Sequence, residues 1–189
     1  MDPHYSEYAR ELSLIGGALQ YYHLKESQDF VLDIPDFLQA LTDDIGLVIL
    51  CNPNNPTGSC VEPSLMERIL RLTARRGIWL AVDEAFLAFS GEYERRSMRR
   101  YFKEYENLLV LNAFTKLYAM PGLRLGYGVC ESREVIRRLL LQLPAWNVSV
   151  PAQAAGLAAL KEKSMWKKRR HMSLRNGDSL WQGLKRRPA

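Results

Sequence analysis

Along its length the chain alternates short apolar runs with segments whose apolar positions recur every three or four residues. Tyr5 to Ile15 has helical spacing, and Gly16-Gly17 predicts its stop. Ala18 to Leu24 alternates and predicts a strand, and Ile34 to Leu41 predicts a short helix. Leu47 to Cys51 is continuously apolar, the pattern of a strand buried on both faces. Pro63 to Arg75 places Leu65, Met66, Ile69 and Leu72 at helical spacing, with Pro63 suited to the first turn and Gly77 to the stop. Ile78 to Val82 and Leu108 to Leu111 predict further buried strands, and Leu125 to Cys130 a strand with two glycines. Ser132 is placed to cap a helix carrying Val135, Ile136, Leu139 and Leu140. From Pro151 the pattern is helical to about Leu184, with a break near Asn176-Gly177.

Strands alternating with helices predict an α/β domain: three α/β/α layers around a mostly parallel sheet, helices on both faces. No repeat or low-complexity segment interrupts it. In such sheets ligands gather at the carboxyl ends of strands. Three polar motifs fall there: Asn52 to Gly58, Asp83-Glu84 and Thr115-Lys116.

The first motif, Asn-Pro-Asn-Asn-Pro-Thr-Gly, reads either as a strand-to-helix turn or as a rigid loop aiming an amide at a ligand. Asp83 closes a buried strand, where a carboxylate is costly unless paired. It is a cap, an ion-pair partner, or the partner of a cationic ligand group such as a protonated pyridine. Lys116 and Arg124 lie in a largely apolar stretch. Apolar surroundings disfavour the lysine's charge and make its amine a better nucleophile, while arginine offers a planar fork suited to phosphate. By chemistry alone, Asn55, Asp83, Lys116 and Arg124 fit an anionic, pyridine-like ligand.

Composition narrows the class. The 189 residues are enough for one well-packed domain, and no apolar run reaches membrane-spanning length. The start, Met1-Asp2-Pro3-His4-Tyr5, lacks the pattern of a signal peptide, so a cytoplasmic protein is expected. Net charge is +5, and ten Lys/Arg against two acids lie from Lys161 onward. We read that stretch, with Trp166 and Trp181, as a solvated helix face, not a nucleic-acid site. Cys51, Cys60 and Cys130 form no CxxC pair and predict buried, reduced thiols. His4, His23 and His171 lack ligand spacing, so no metal site is expected.

Taken in order, Asn52-Pro-Asn-Asn-Pro-Thr-Gly58, Val82-Asp-Glu-Ala-Phe86 and Thr115-Lys-Leu-Tyr-Ala-Met-Pro-Gly-Leu-Arg-Leu-Gly-Tyr127 resemble the class I/II (fold-type I) aminotransferases. Within them the chain is most similar to the threonine-phosphate decarboxylase branch of cobalamin synthesis, with histidinol-phosphate aminotransferases as near relatives. Gln142 to Ser149 resembles the decarboxylase branch as well. The resemblance covers nearly the whole chain and implies a pyridoxal 5'-phosphate (PLP) enzyme. It implies Lys116 as the Schiff-base lysine that later moves protons, and Asp83 as the partner of the pyridinium nitrogen. It implies Asn55 on the ring's phenolic oxygen, Arg124 on the cofactor phosphate, and Tyr5 stacked on the ring. Tyr5 reads equally as a core aromatic near the start of the chain. The implied substrate is a small phosphorylated amino acid or amine, and the implied assembly is a homodimer.

Two residues depart from the family pattern. Phe86 stands where many members carry a tyrosine that contacts the phenolic oxygen. Ala113 replaces a hydroxyl residue that donates to the phosphate, a loss of about 1.5–3 kcal/mol that Thr115 is placed to offset. The resemblance also implies that residues 1–189 form a large domain lacking its N-terminal part and the C-terminal small domain, which leaves a second reading open, a non-catalytic remnant that keeps the PLP-binding fold.

Overall fold

The computed structural model describes residues 2–162 and 171–172. In chain order these form α1 (Glu7–Leu14), α2 (Ile34–Ala40), β1 (Leu47–Cys51), α3 (Pro63–Arg75), β2 (Trp79–Asp83), α4 (Tyr93–Arg96), β3 (Leu108–Ala113), α5 (Phe114–Leu117), β4 (Gly126–Val129), α6 (Arg133–Gln142) and α7 (Val150–Lys161). The sheet has four strands in the order β1-β2-β3-β4. The first three run parallel, and β4 returns antiparallel to β3, so the sheet is mostly parallel as expected.

Strand alternation decides what the sheet buries. Val48, Leu50, Leu80, Val82, Leu108 and Val110 project to one side, where they pack with Phe37 of α2 and with Met66, Ile69 and Leu70 of α3. On the other side Ile49, Leu109 and Leu111 are only half-buried. The apolar runs therefore have one fully covered face, not two. α3 follows its sequence signals: Pro63 stands in the first turn, Gly77 takes φ +67, and Met66, Ile69, Leu70 and Thr73 are buried. That stripe is rotated slightly from the predicted one, since Leu65 and Leu72 are only half-buried. Ser132 caps α6 by accepting from the Val135 amide, yet Leu139 and Leu140 of that helix are exposed.

Three expectations change. Ala18 to Leu24 forms no strand. It meets only an isolated bridge between Asp2 and His23, because among the described residues no strand lies alongside to complete a ladder. The last predicted helix breaks after Lys161, residues 171 and 172 are again helical, and the remainder of that prediction, with the break near Asn176-Gly177 and both Trp166 and Trp181, lies outside the described residues. Of the three free cysteines only Cys51 is buried, with Cys60 and Cys130 half-buried. Among the described residues no helix is long and apolar enough to cross a membrane, and no cluster of His, Cys, Asp or Glu is arranged to hold a metal.

Candidate active site

Parallel pairing aligns the strand tips. Cys51 stands opposite Asp83, and Asp83 opposite Leu111, so the loops after β1, β2 and β3 open on the same side of the sheet. There they line a cavity of about 300 Å³, at the small end of the range for ligand pockets. Its walls include Tyr5, Asn55, Asp83, Thr115, Lys116 and Arg124, every site residue singled out from the sequence.

Each is held by local structure. Asn52 and Asn54 of the first loop are both buried. Asn52 Oδ1 accepts from the Val61 amide at 2.9 Å, while Asn54 Nδ2 donates to the Pro3 carbonyl at 3.1 Å and to Thr57 Oγ1 at 3.0 Å. The Gly58 amide donates to the Asn54 carbonyl at 2.7 Å, a closure that uses glycine's positive φ of +72. Two of the three asparagines thus lock the loop, and Asn55 is the one that reaches the cavity.

Asp83 ends β2 with its carboxylate held twice. Oδ1 accepts from the Ala85 amide at 2.9 Å, and Oδ2 accepts from the Tyr8 hydroxyl at 2.5 Å. Each oxygen has a second lone pair, so the carboxylate keeps capacity for a cation in the cavity. Burial first, then Asp83, pushes the Tyr8 phenol far above the ordinary tyrosine range, so Tyr8 stays a donor. Burial likewise raises the Cys51 thiol, which also lines the cavity. Tyr8 was not singled out from the sequence. Its only signal there was a place three residues after Tyr5 on one helix, and the two rings now meet edge to face at 5.7 Å.

Lys116 sits on the short helix α5, directly after β3. Its Nζ lies 5.5 Å from the centre of the Phe86 ring, within cation–π range. The apolar surround expected from sequence is absent: Lys116 is exposed at the cavity wall, with Phe86 as its aromatic neighbour. Arg124 takes a left-handed backbone (φ +51) and donates to the Pro121 carbonyl at 3.1 Å. Among the described residues no carboxylate pairs with Lys116 or Arg124. β4 comes close because Gly126 lacks a side chain; a Cβ there would stand 2.9 Å from the Asn112 carbonyl oxygen.

Behind the cavity, Glu84 is almost wholly buried, 1% exposed. It accepts from Ser97 Oγ at 2.7 Å and from the Met98 amide at 2.6 Å, tying the tip of β2 to the segment after α4. Burial outweighs these bonds and raises its carboxyl to about 7.

A carboxylate, two cations without ion-pair partners, an amide and an aromatic ring thus face one small cavity. A family model described as aminotransferase class I and II matches residues 1–187. The chain belongs to that family. Its members are PLP-dependent enzymes. The histidinol-phosphate aminotransferase of Methanococcus aeolicus is 26% identical over 97% of this chain and 48% of its own length. The threonine-phosphate decarboxylase of Salmonella typhimurium is 33% identical over 96% of this chain and 49% of its own. The crystal structure of a histidinol-phosphate aminotransferase from Clostridium acetobutylicum superposes with TM-score 0.82 at 29% identity, over 88% of this chain and 49% of that one. The chain spans about half the length of the curated relatives it matches.

The residues present fit PLP. One cavity offers a guanidinium and a hydroxyl (Arg124, Thr115) of the kind an anionic phosphate would need, a carboxylate (Asp83) suited to a protonated ring nitrogen, and an amine (Lys116) suited to an aldehyde. Phe86 brings no hydroxyl to the set.

Proposed function

We propose that this chain is the cofactor-binding large domain of a PLP enzyme acting on a phosphorylated amino acid or amine, with Lys116 as its Schiff-base residue. The observation that carries this reading is the meeting of six residues from distant stretches of chain on one cavity of about 300 Å³. Bound PLP supplies an aldehyde carbon and a ring that draws electrons from the bonds of a substrate's Cα.

The chain's residues do the rest. Asp83 would face the protonated ring nitrogen, and Tyr8, by donating to Oδ2, keeps that carboxylate aimed. Asn55 would orient the phenolic side of the ring and Tyr5 would cover its face. Arg124 and Thr115 would hold the phosphate. The Phe86 ring positions the Lys116 amine, which takes up and returns the proton at Cα.

Decarboxylation of L-threonine O-3-phosphate is the first reading. Two decarboxylase relatives, from Salmonella typhimurium and Caldanaerobacter subterraneus, each share 33% identity, beside 31% for a histidinol-phosphate aminotransferase of Bacillus cereus and 26% for that of Methanococcus aeolicus. Transamination of histidinol phosphate is the second, supported by the Clostridium acetobutylicum structure. We also propose a cytoplasmic homodimer.

Titration of the purified chain with PLP tests the reading. A long-wavelength absorbance band should grow and saturate, and Lys116→Ala should abolish it while far-UV circular dichroism stays unchanged. Addition of threonine phosphate or histidinol phosphate to the loaded chain then separates the two reactions by product. A folded chain that develops no band contradicts the proposal.

A further inference from the structure

Arginines crowd the end of α4 and the turn after it, at positions 95, 96, 99 and 100. Three of them have an evident partner. Arg95 and Arg96 each pair with Glu62 and Glu92, at 2.8 to 3.5 Å. Arg100 lies over the Tyr101 ring, 4.8 Å from its centre. Arg99 differs. Among the described residues it forms no ion pair, and its Nη1 donates to the Tyr93 hydroxyl at 3.3 Å. The nearby carboxylate whose charge it feels, Glu84, is buried and already held by Ser97 and Met98.

Donors surround this cation. Asn112 of β3 also gives its Nδ2 to the Tyr93 hydroxyl, at 3.3 Å, while its Oδ1 is taken by the Ala113 amide at 2.8 Å. What Asn112 has left to offer is N–H. Tyr127 of β4 stands opposite Asn112 in the ladder, so the two side chains share a face. Burial first, then Tyr93, pushes the Tyr127 phenol up to about 12, against the pull of Arg99, so it keeps its proton at neutral pH. Arg99 itself is fixed at its base: its amide donates to Ser97 Oγ at 3.2 Å, and Ser97 and Met98 are buried. Arg99 and Tyr127 both reach solvent. A guanidinium, a primary amide and two phenols from α4, the turn after it, β3 and β4 thus meet at one place.

We propose that Arg99, with the Tyr127 hydroxyl and the Asn112 amide, forms a binding site for a phosphate group, separate from the cofactor cavity. The planar fork of an arginine takes two oxygens of an oxyanion. The phenol and the amide, neither of them on the guanidinium, call for a third oxygen, which a phosphate has and a carboxylate lacks. Neither Arg99, Tyr93, Asn112 nor Tyr127 lines the cavity that holds Lys116 and Arg124. The proposal therefore stands whether or not Lys116 binds PLP.

The test titrates inorganic phosphate, threonine phosphate and acetate into the full chain at constant ionic strength. NMR follows the Asn112 side-chain amide and the Arg99 Nε–H. Phosphate should shift both saturably. Read at the Asn112 amide, the midpoint should rise about ten-fold or more in Arg99→Gln and about three-fold in Tyr127→Phe, and stay unchanged in Arg124→Gln. Circular dichroism checks that each variant is folded. A lower midpoint for threonine phosphate than for inorganic phosphate assigns the site to a phosphorylated metabolite, and the reverse order assigns it to free phosphate. The proposal is overturned by the absence of a saturable shift, by a midpoint for acetate equal to that for phosphate, or by a midpoint unchanged in folded Arg99→Gln. A midpoint that moves in Arg124→Gln and not in Arg99→Gln also overturns it, since it would place the phosphate in the cofactor cavity alone.

Discussion

Replacing Tyr8 with Phe removes one hydroxyl and leaves the ring in place. The lost bond is the 2.5 Å donation to Asp83 Oδ2, made to a charged acceptor in a half-buried setting. Such bonds contribute about 1.5–3 kcal/mol, and we take about 2 kcal/mol here. For a chain of this size that corresponds to a fall in melting temperature of about 4–8 °C. Thermal and urea unfolding of the chain, Tyr8→Phe, Asp83→Ala and the double variant complete a cycle that isolates the pairwise energy. The expected coupling is about 2 kcal/mol, and a value under about 0.5 kcal/mol, within ordinary additivity error, would refute the link. Burial and Asp83 hold the Tyr8 phenol far above its usual range. The coupling should therefore survive at about pH 10, where a free tyrosine ionises.

Other outcomes follow from single features. The Glu84 carboxyl is raised to about 7 from 4.5 by burial, so the folded state holds its proton more tightly than the unfolded one. Its contribution is full below about pH 4.5 and is lost as pH rises through about 7, a swing of at most about 3 kcal/mol. Denaturant titrations across that window should show the slope in the parent chain and a flatter profile in Glu84→Gln; identical slopes would contradict the assignment. Gly126→Ala puts a Cβ 2.9 Å from the Asn112 carbonyl oxygen, so the strands must part, at a cost of about 1–3 kcal/mol by urea unfolding. Gly128→Ala meets side-chain ends of Leu109 and Leu111, at 3.4 and 3.5 Å, and the Val110 carbonyl oxygen at an ordinary 3.9 Å, and should cost clearly less.

Much of the fold was legible because its signals are local. Pro63, Gly77 and an apolar stripe specify α3, and three apolar runs specify β1 to β3. The run from Ala18 to Leu24 misled because alternation reports a preference for extended chain, whereas a strand also needs a neighbour. The site residues were legible as motifs at strand tips, and parallel register brings those tips together. Tyr8 was not, because its contact with Asp83 joins positions 75 residues apart and leaves no spacing to read. The exposure of Lys116 was missed for a related reason: apolar neighbours in sequence, such as Phe114 and Leu117, turn into the core while the lysine turns out.

The central claim is that the Lys116 amine and the Asp83 carboxylate serve one small ring. Borohydride reduction of the PLP-loaded chain, followed by peptide mass mapping, tests it most directly. The account predicts a single phosphopyridoxyl group on Lys116, lost in Lys116→Ala and formed at a much higher PLP concentration in Asp83→Ala. Label spread over exposed lysines such as Lys25 and Lys103, with none favoured, would contradict it.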